Sequence, residues 1–168
     1  RVAWWAQHQQ LPWPPVEDCV EQAAQAYRAN HFDQALVWAL AALARSTEHA
    51  VAWNTVGAVY RRWGRLAVAE PLFHRAIAAR ADYASPWSNL SFLYAELGRH
   101  ADAEQAARRA IELEPHNANA WNNLGNALQR VGRLPESLEA FGQVLALEPG
   151  HRTALSNYLL AVQYASGM

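Results

Sequence analysis

The stretch AWNNLGNAL, residues 120–128, places Asn122, Asn123 and Asn126 among Ala, Leu and one Trp. Asparagine is an unfavourable interior helix residue, because its short amide competes for neighbouring backbone groups. The same residue type returns at a fixed interval: Asn89, Asn123 and Asn157 are 34 residues apart, with Thr55 one step earlier. The preceding column reads Asn54, Ser88, Asn122, Ser156. A primary amide carries two donors and an acceptor, so it can pair with both the C=O and the N–H of an extended chain, whatever that chain's side chains. Amides repeated along a line therefore suit main-chain recognition, or equally bonds to neighbouring repeats or to water.

Catalytic chemistry has no comparable signal. The single cysteine, Cys19, forbids an internal disulfide and reads as a small buried apolar residue. The seven histidines are scattered, with His49, His116 and His151 in turn-like stretches and no two spaced for one helix face. Phosphate loops, H-E-x-x-H and paired C-x-x-C motifs are absent from the sequence. The expectation is a non-catalytic chain with no metal and no cofactor. Of the 168 residues, 52% are apolar and 17% charged, which suits a folded core. A net charge of −1 lacks the basic excess that a phosphate backbone selects, so nucleic acid is not an expected partner. The longest apolar run, ALVWALAALA at 35–44, is too short to span a bilayer. All fourteen basic side chains are arginine. The start at Arg1, without methionine, reads as a processed or trimmed product.

Stepping the sequence by 34 aligns much more than the asparagines. Trp53, Trp87 and Trp121 share a column, as do Gly64, Gly98 and Gly132; Val56, Leu90 and Leu124; Ala35, Ala69 and Ala103; and Ala42, Ala76 and Ala110. Within a period, Trp is followed three residues later by an aliphatic, then by Gly57, Ser91 or Gly125, then by Tyr60, Tyr94 or Leu128, which is helical spacing. The glycine column suits a left-handed helix terminus, and Asn30 occupies it in the first period. A second helical stretch follows, with small residues for close approach, Phe73 or Phe141 to fill space, and Pro115 or Pro149 to end it.

The pattern W-x2-L/V-G/S-x2-Y/L, then G, A-x3-F and a closing Pro, resembles the tetratricopeptide repeat, a 34-residue helix-turn-helix unit. The resemblance implies an all-α, right-handed solenoid of four units, 16–49, 50–83, 84–117 and 118–151. A capping helix over 152–168 follows, with Leu155 in the Trp column. The first unit departs from the pattern, with Cys19 for Trp and Gln22 for an aliphatic, and Pro71 is expected to disturb the second helix of unit two. Residues 1–15, RVAWWAQHQQLPWPP, hold three Trp and three Pro; with Trp5 in the Phe73 and Phe141 column they read as a capping helix or as a docking segment.

In such stacks the free face of each first helix lines a concave groove. The resemblance thus implies an interaction scaffold that binds an extended peptide or partner protein there. The groove set is Asn54, Thr55, Asn89, Asn122, Asn123, Asn126 and Asn157, with Arg61, Arg62 and Arg130 as cations and Phe92 and Tyr27 as apolar contacts. Asn89, Asn123 and Asn157 are similar in placement to the asparagine ladder of the O-linked N-acetylglucosamine transferases, so a substrate-recruiting module of a larger bacterial enzyme is the first alternative. Self-association through apolar ends or the Trp-rich segment is the second. Without lysine, the carboxylate clamp of the chaperone-binding members is not expected. Unit one carries five acids against Arg28 and Arg45, and unit two carries five arginines against Glu70 and Asp82. The groove is accordingly expected to be polarised along its length, and solvent-facing ladder amides are expected to contribute little to stability.

Overall fold

Alanine occupies the positions where helices meet. Ala35, Ala69, Ala103, Ala42, Ala76 and Ala110 are each 0% exposed; alanine favours the helix and lets backbones approach closely. The structure, a computed structural model, describes residues 14–165, and among these the regular structure is helix throughout. The helices are α1 Val16–Arg28, α2 Phe32–Arg45, α3 Ala50–Arg62, α4 Leu66–Ala79, α5 Ala84–Glu96, α6 His100–Leu113, α7 Ala118–Arg130, α8 Leu134–Leu147 and α9 Arg152–Ala165. Neighbours in sequence pack as antiparallel pairs. The odd-numbered helices also touch one another in succession, whereas no two even-numbered helices come into direct backbone contact. The odd helices therefore form the tight inner row of a curved stack, and the even helices form its outer row.

The inner helices α1, α3, α5 and α7 end the same way. Asn30, Gly64, Gly98 and Gly132 have φ of 61°, 72°, 73° and 80°. In each case the next residue's N–H reaches back to close the terminus: His31 to Ala26 at 2.8 Å, Arg65 to Tyr60 at 2.9 Å, Arg99 to Tyr94 at 2.8 Å and Arg133 to Leu128 at 3.0 Å. A side chain at the left-handed position costs about 1–2 kcal/mol unless it is Gly, with Asn the best tolerated. We expect Gly98→Ala to lose roughly 1 kcal/mol in a urea titration, and Asn30→Gly to lose nothing.

The junction inside each helix pair is volume-matched. Gly57 faces the Phe73 ring and Gly125 faces the Phe141 ring, so that a Cβ on Gly125 would lie 2.5 Å from Phe141 Cε1. Where the inner residue is Ser91, the outer position is Ala107; where it is Ala23, the outer position is Ala39. Both serines at this junction bond across it in opposite directions. Ser91 Oγ donates to the Ala103 carbonyl at 2.8 Å, and Ser137 Oγ donates to the Gly125 carbonyl at 3.0 Å.

Along the outer row a charged clasp repeats. Arg99 donates to Glu70 at 2.9 Å and to Asp102 at 2.7 Å; one period later Arg133 donates to Glu104 at 2.8 Å and also binds Glu136. The Arg133 guanidinium holds the Glu136 carboxyl below the usual carboxylate range. Leu36 and Val68 occupy the acid positions around Arg65, so the first outer junction has no such clasp.

Three expectations need adjustment. Pro71 lies inside α4, yet α4 is 14 residues long, as are α2, α6 and α8; Pro71 is exposed, so the backbone bond it removes is lost on the water side. Trp53, Trp87 and Trp121 are half-buried and not fully interior, each lying against the cores between helices. On α9 the outer face is apolar: Leu155 is 46% and Leu159 59% exposed. Capping function at 1–13 lies outside the described residues; Pro14, where the description begins, accepts from Arg45 Nη1 at 2.9 Å. Cys19 is buried as expected, and burial pushes its thiol pKa up.

Candidate functional site

One face of every inner helix remains uncovered, and together these faces form a trough. Its N-terminal half is a cavity of about 530 Å³ with walls from α1, α3, α5 and α7. Its C-terminal half is a cavity of about 850 Å³ with walls from α5, α7 and α9 and one outer-row contact, Leu134. Phe92 and Asn123 belong to both halves, so the two are continuous. The column that forms the floor reads Ala24, Ala58, Phe92, Asn126. Two small residues open the N-terminal half, and the Phe92 ring, 40% exposed, stands at the junction.

The trough gathers eleven of the twelve residues expected there. Tyr27, Asn54, Thr55, Arg61, Asn89 and Asn122 line the N-terminal half; Asn126, Arg130 and Asn157 line the C-terminal half. Arg62 does not join them. One residue past Arg61 it is rotated about 100° around the helix, and its guanidinium lies 5.3 Å over the Phe32 ring of α2. Thr55 is present but spent, since its hydroxyl donates to the Val51 carbonyl at 2.9 Å within α3.

The ladder amides have a structural task, the alternative that their residue type leaves open beside ligand binding. Asn89 Nδ2 donates to Asn54 Oδ1 at 3.0 Å. Asn123 Nδ2 donates to the Ser88 carbonyl at 3.0 Å. Asn157 Nδ2 donates to Asn126 Oδ1 at 2.9 Å. Each amide thus ties its own inner helix to the preceding one. This answers why asparagines sit inside α7: Asn123 and Asn126 are rungs between helices, and Asn122 turns toward the N-terminal cavity. Replacing Asn89 and Asn123 together by Ala should therefore lower stability by about 1–2 kcal/mol, two inter-helix bonds partly offset by alanine's helix propensity. A chemical denaturation curve unchanged from wild type would show that the rungs contribute nothing.

Charge in the trough also departs from expectation. The acids of unit one, Glu17, Asp18, Glu21, Asp33 and Glu48, are all outside it; its N-terminal half holds Arg28 and Arg61 and no carboxylate. The C-terminal half holds Glu96 and Arg130. Sequence reasoning missed Tyr83, whose hydroxyl accepts from Asn54 Nδ2 at 3.4 Å, and Asn117 and Asn119. Tyr83 and Asn117 share the column just before each inner helix, which the same 34-residue arithmetic would have exposed. Among the described residues, no three His, Cys, Asp or Glu side chains are grouped to hold a metal ion.

Comparison with known proteins agrees with this architecture. Residues 48–114 match a family model described as tetratricopeptide repeat, and residues 93–150 and 122–162 match a second model of the same description. No curated protein matches the chain. Among solved structures, YrrB, described as a TPR protein with an unusual peptide-binding site, is 25% identical with TM-score 0.68, over 88% of this chain and 76% of that one. Pseudomonas aeruginosa pilF superposes with TM-score 0.81 at 18% identity, over 90% of this chain and 68% of that one. The second TPR domain of human RPAP3, solved with the HSP70 peptide SGPTIEEVD, is 26% identical with TM-score 0.64, over 67% of this chain and 94% of that one.

Proposed function

Because the chain belongs to the tetratricopeptide-repeat family, whose solved members include modules that hold peptides, we propose that its concave trough binds an extended segment of a partner protein. One observation carries the reading: the inner-row surface is a continuous trough floored by Ala24, Ala58, Phe92 and Asn126 and walled by amides. The ladder amides each spend one N–H on the neighbouring helix, which fixes their orientation. The carbonyl oxygens of Asn89, Asn123 and Asn157 accept no bond from the described residues and suit the N–H groups of a ligand main chain.

Such contacts are weak singly, at about 0.5–1.5 kcal/mol each. Affinity around the micromolar range then requires the exposed Phe92 ring and the arginines to add to the amides. The test is calorimetric titration with a peptide selected on the protein from a random display library. Phe92→Ala should weaken binding by about tenfold with the melting temperature unchanged, whereas Leu40→Ala on the outer row should have no effect. Weakening by Leu40→Ala, with none by Phe92→Ala, would place binding on the other side of the solenoid.

A further inference from the structure

The reading above leaves the ligand's chemistry open, and the distribution of arginine partners narrows it. On the outer row, Arg99, Arg108, Arg109 and Arg133 each meet a carboxylate within 2.9 Å. Arg61, in the trough, has no carboxylate within ion-pair distance among the described residues; it rests over the Phe92 ring at 4.6 Å from the centroid. Stacking on an aromatic face holds a guanidinium in place and leaves its terminal nitrogens able to donate to a planar anion, while Arg61 Nε itself is buried with no partner among the described residues. The cavity that Arg61 lines has no Asp or Glu; the trough's acid, Glu96, lines the adjoining half, one helical turn beyond Phe92. The other cation there, Arg28, is already paired with Glu21 at 3.4 Å.

Next to this cation the floor is shaped for an apolar group. Ala58, one period before Phe92, leaves open the space that Phe92 would fill if the column were uniform, and the Phe92 ring forms one wall of that space. The cation and the ring are stacked, so the two ligand groups that meet them must project from the same side of the bound strand. In an extended chain those are residues i and i+2, about 6.6 Å apart.

We propose that the partner segment is acidic, with an Asp or Glu side chain received by Arg61 and, two residues away, an aromatic or large aliphatic side chain packed on Phe92 over Ala58. This rests on the trough being the peptide site, and the experiment separates the two claims. The probes are fluorescein-labelled nonapeptides: GSSESFSSG, the same peptide with Gln or Lys in place of its Glu, and the same peptide with Ala in place of its Phe. Binding is read by anisotropy at low and at high salt.

The Glu peptide should bind about tenfold more tightly than the Gln peptide at low salt, lose that advantage at high salt, and bind more tightly than the Lys and Ala peptides. Arg61→Gln should abolish the preference for Glu over Gln. Arg61→Lys should restore part of it, and Arg130→Gln should leave it intact. Equal binding of the Glu and Gln peptides, still weakened by Phe92→Ala, would overturn the acidic partner and leave the trough as the site. Binding indifferent to Phe92→Ala, or none by any peptide, would overturn both.

Discussion

Replacing Gly125 with alanine is expected to destabilise the chain by about 1–3 kcal/mol, although it adds a single methyl group at a helix position where alanine is intrinsically preferred. The reason is steric. The new Cβ would meet three atoms of the Phe141 ring at 2.5, 2.7 and 2.9 Å, and Phe141 is 0% exposed, so the ring cannot swing out into water. Phe141→Ala alone should cost more, about 3–5 kcal/mol, because it leaves a cavity between α7 and α8. The double variant Gly125→Ser, Phe141→Ala copies the Ser91 and Ala107 pair that joins α5 to α6, and it should be more stable than the summed losses of the single variants Gly125→Ser and Phe141→Ala predict. Strict additivity in a urea double-mutant cycle would show that the two positions do not share one volume.

Trp87→Ala should cost toward the lower end of the range of about 3–5 kcal/mol for removing a large aromatic, since the ring is half-buried against the core that includes Leu90, Leu93 and Phe73. The three tryptophans should then part company on conversion to phenylalanine. Trp53 Nε1 donates to the Thr47 carbonyl at 2.7 Å and Trp121 Nε1 to the Pro115 carbonyl at 2.8 Å, stapling each inner helix to the turn before it. Trp87 Nε1 is buried with no hydrogen-bond partner among the described residues. Phenylalanine removes a bond at positions 53 and 121 and an unmet donor at 87, so Trp87→Phe should be the mildest of the three. Denaturant midpoints in which Trp87→Phe falls furthest would contradict this.

The solenoid was legible because its determinants are local and periodic. A column of Ala, Gly or Trp at a 34-residue step states where helices meet, end and pack, and the left-handed positions at Gly64, Gly98 and Gly132 follow from their shared place at the end of the first helical pattern in each period. Which residues line the trough was legible for the same reason, down to Tyr27 and Phe92. What those residues spend their hydrogen bonds on was not. Asn89 and Asn123 are chemically able to hold a ligand or a neighbouring helix, and only the spacing of adjacent inner helices decides that one N–H of each goes inward to the stack. Arg62 failed for a different reason: one residue of helical rotation separates it from Arg61, and a charge column read without that rotation merges two faces. The acidic count of unit one misled similarly, because a repeat's net charge does not say which side of the helix its carboxylates occupy.

The central claim is that the inner row binds an extended chain, and amide chemical-shift mapping of the 15N-labelled protein with the display-selected peptide tests it most directly. Perturbed backbone amides are expected at Ala24, Ala58, Phe92, Asn123 and Asn126, a line along one face of α1, α3, α5 and α7, with α4, α6 and α8 unchanged at their outward positions. Perturbations concentrated on the outer row, with the Ala24 to Asn126 column silent, would contradict it.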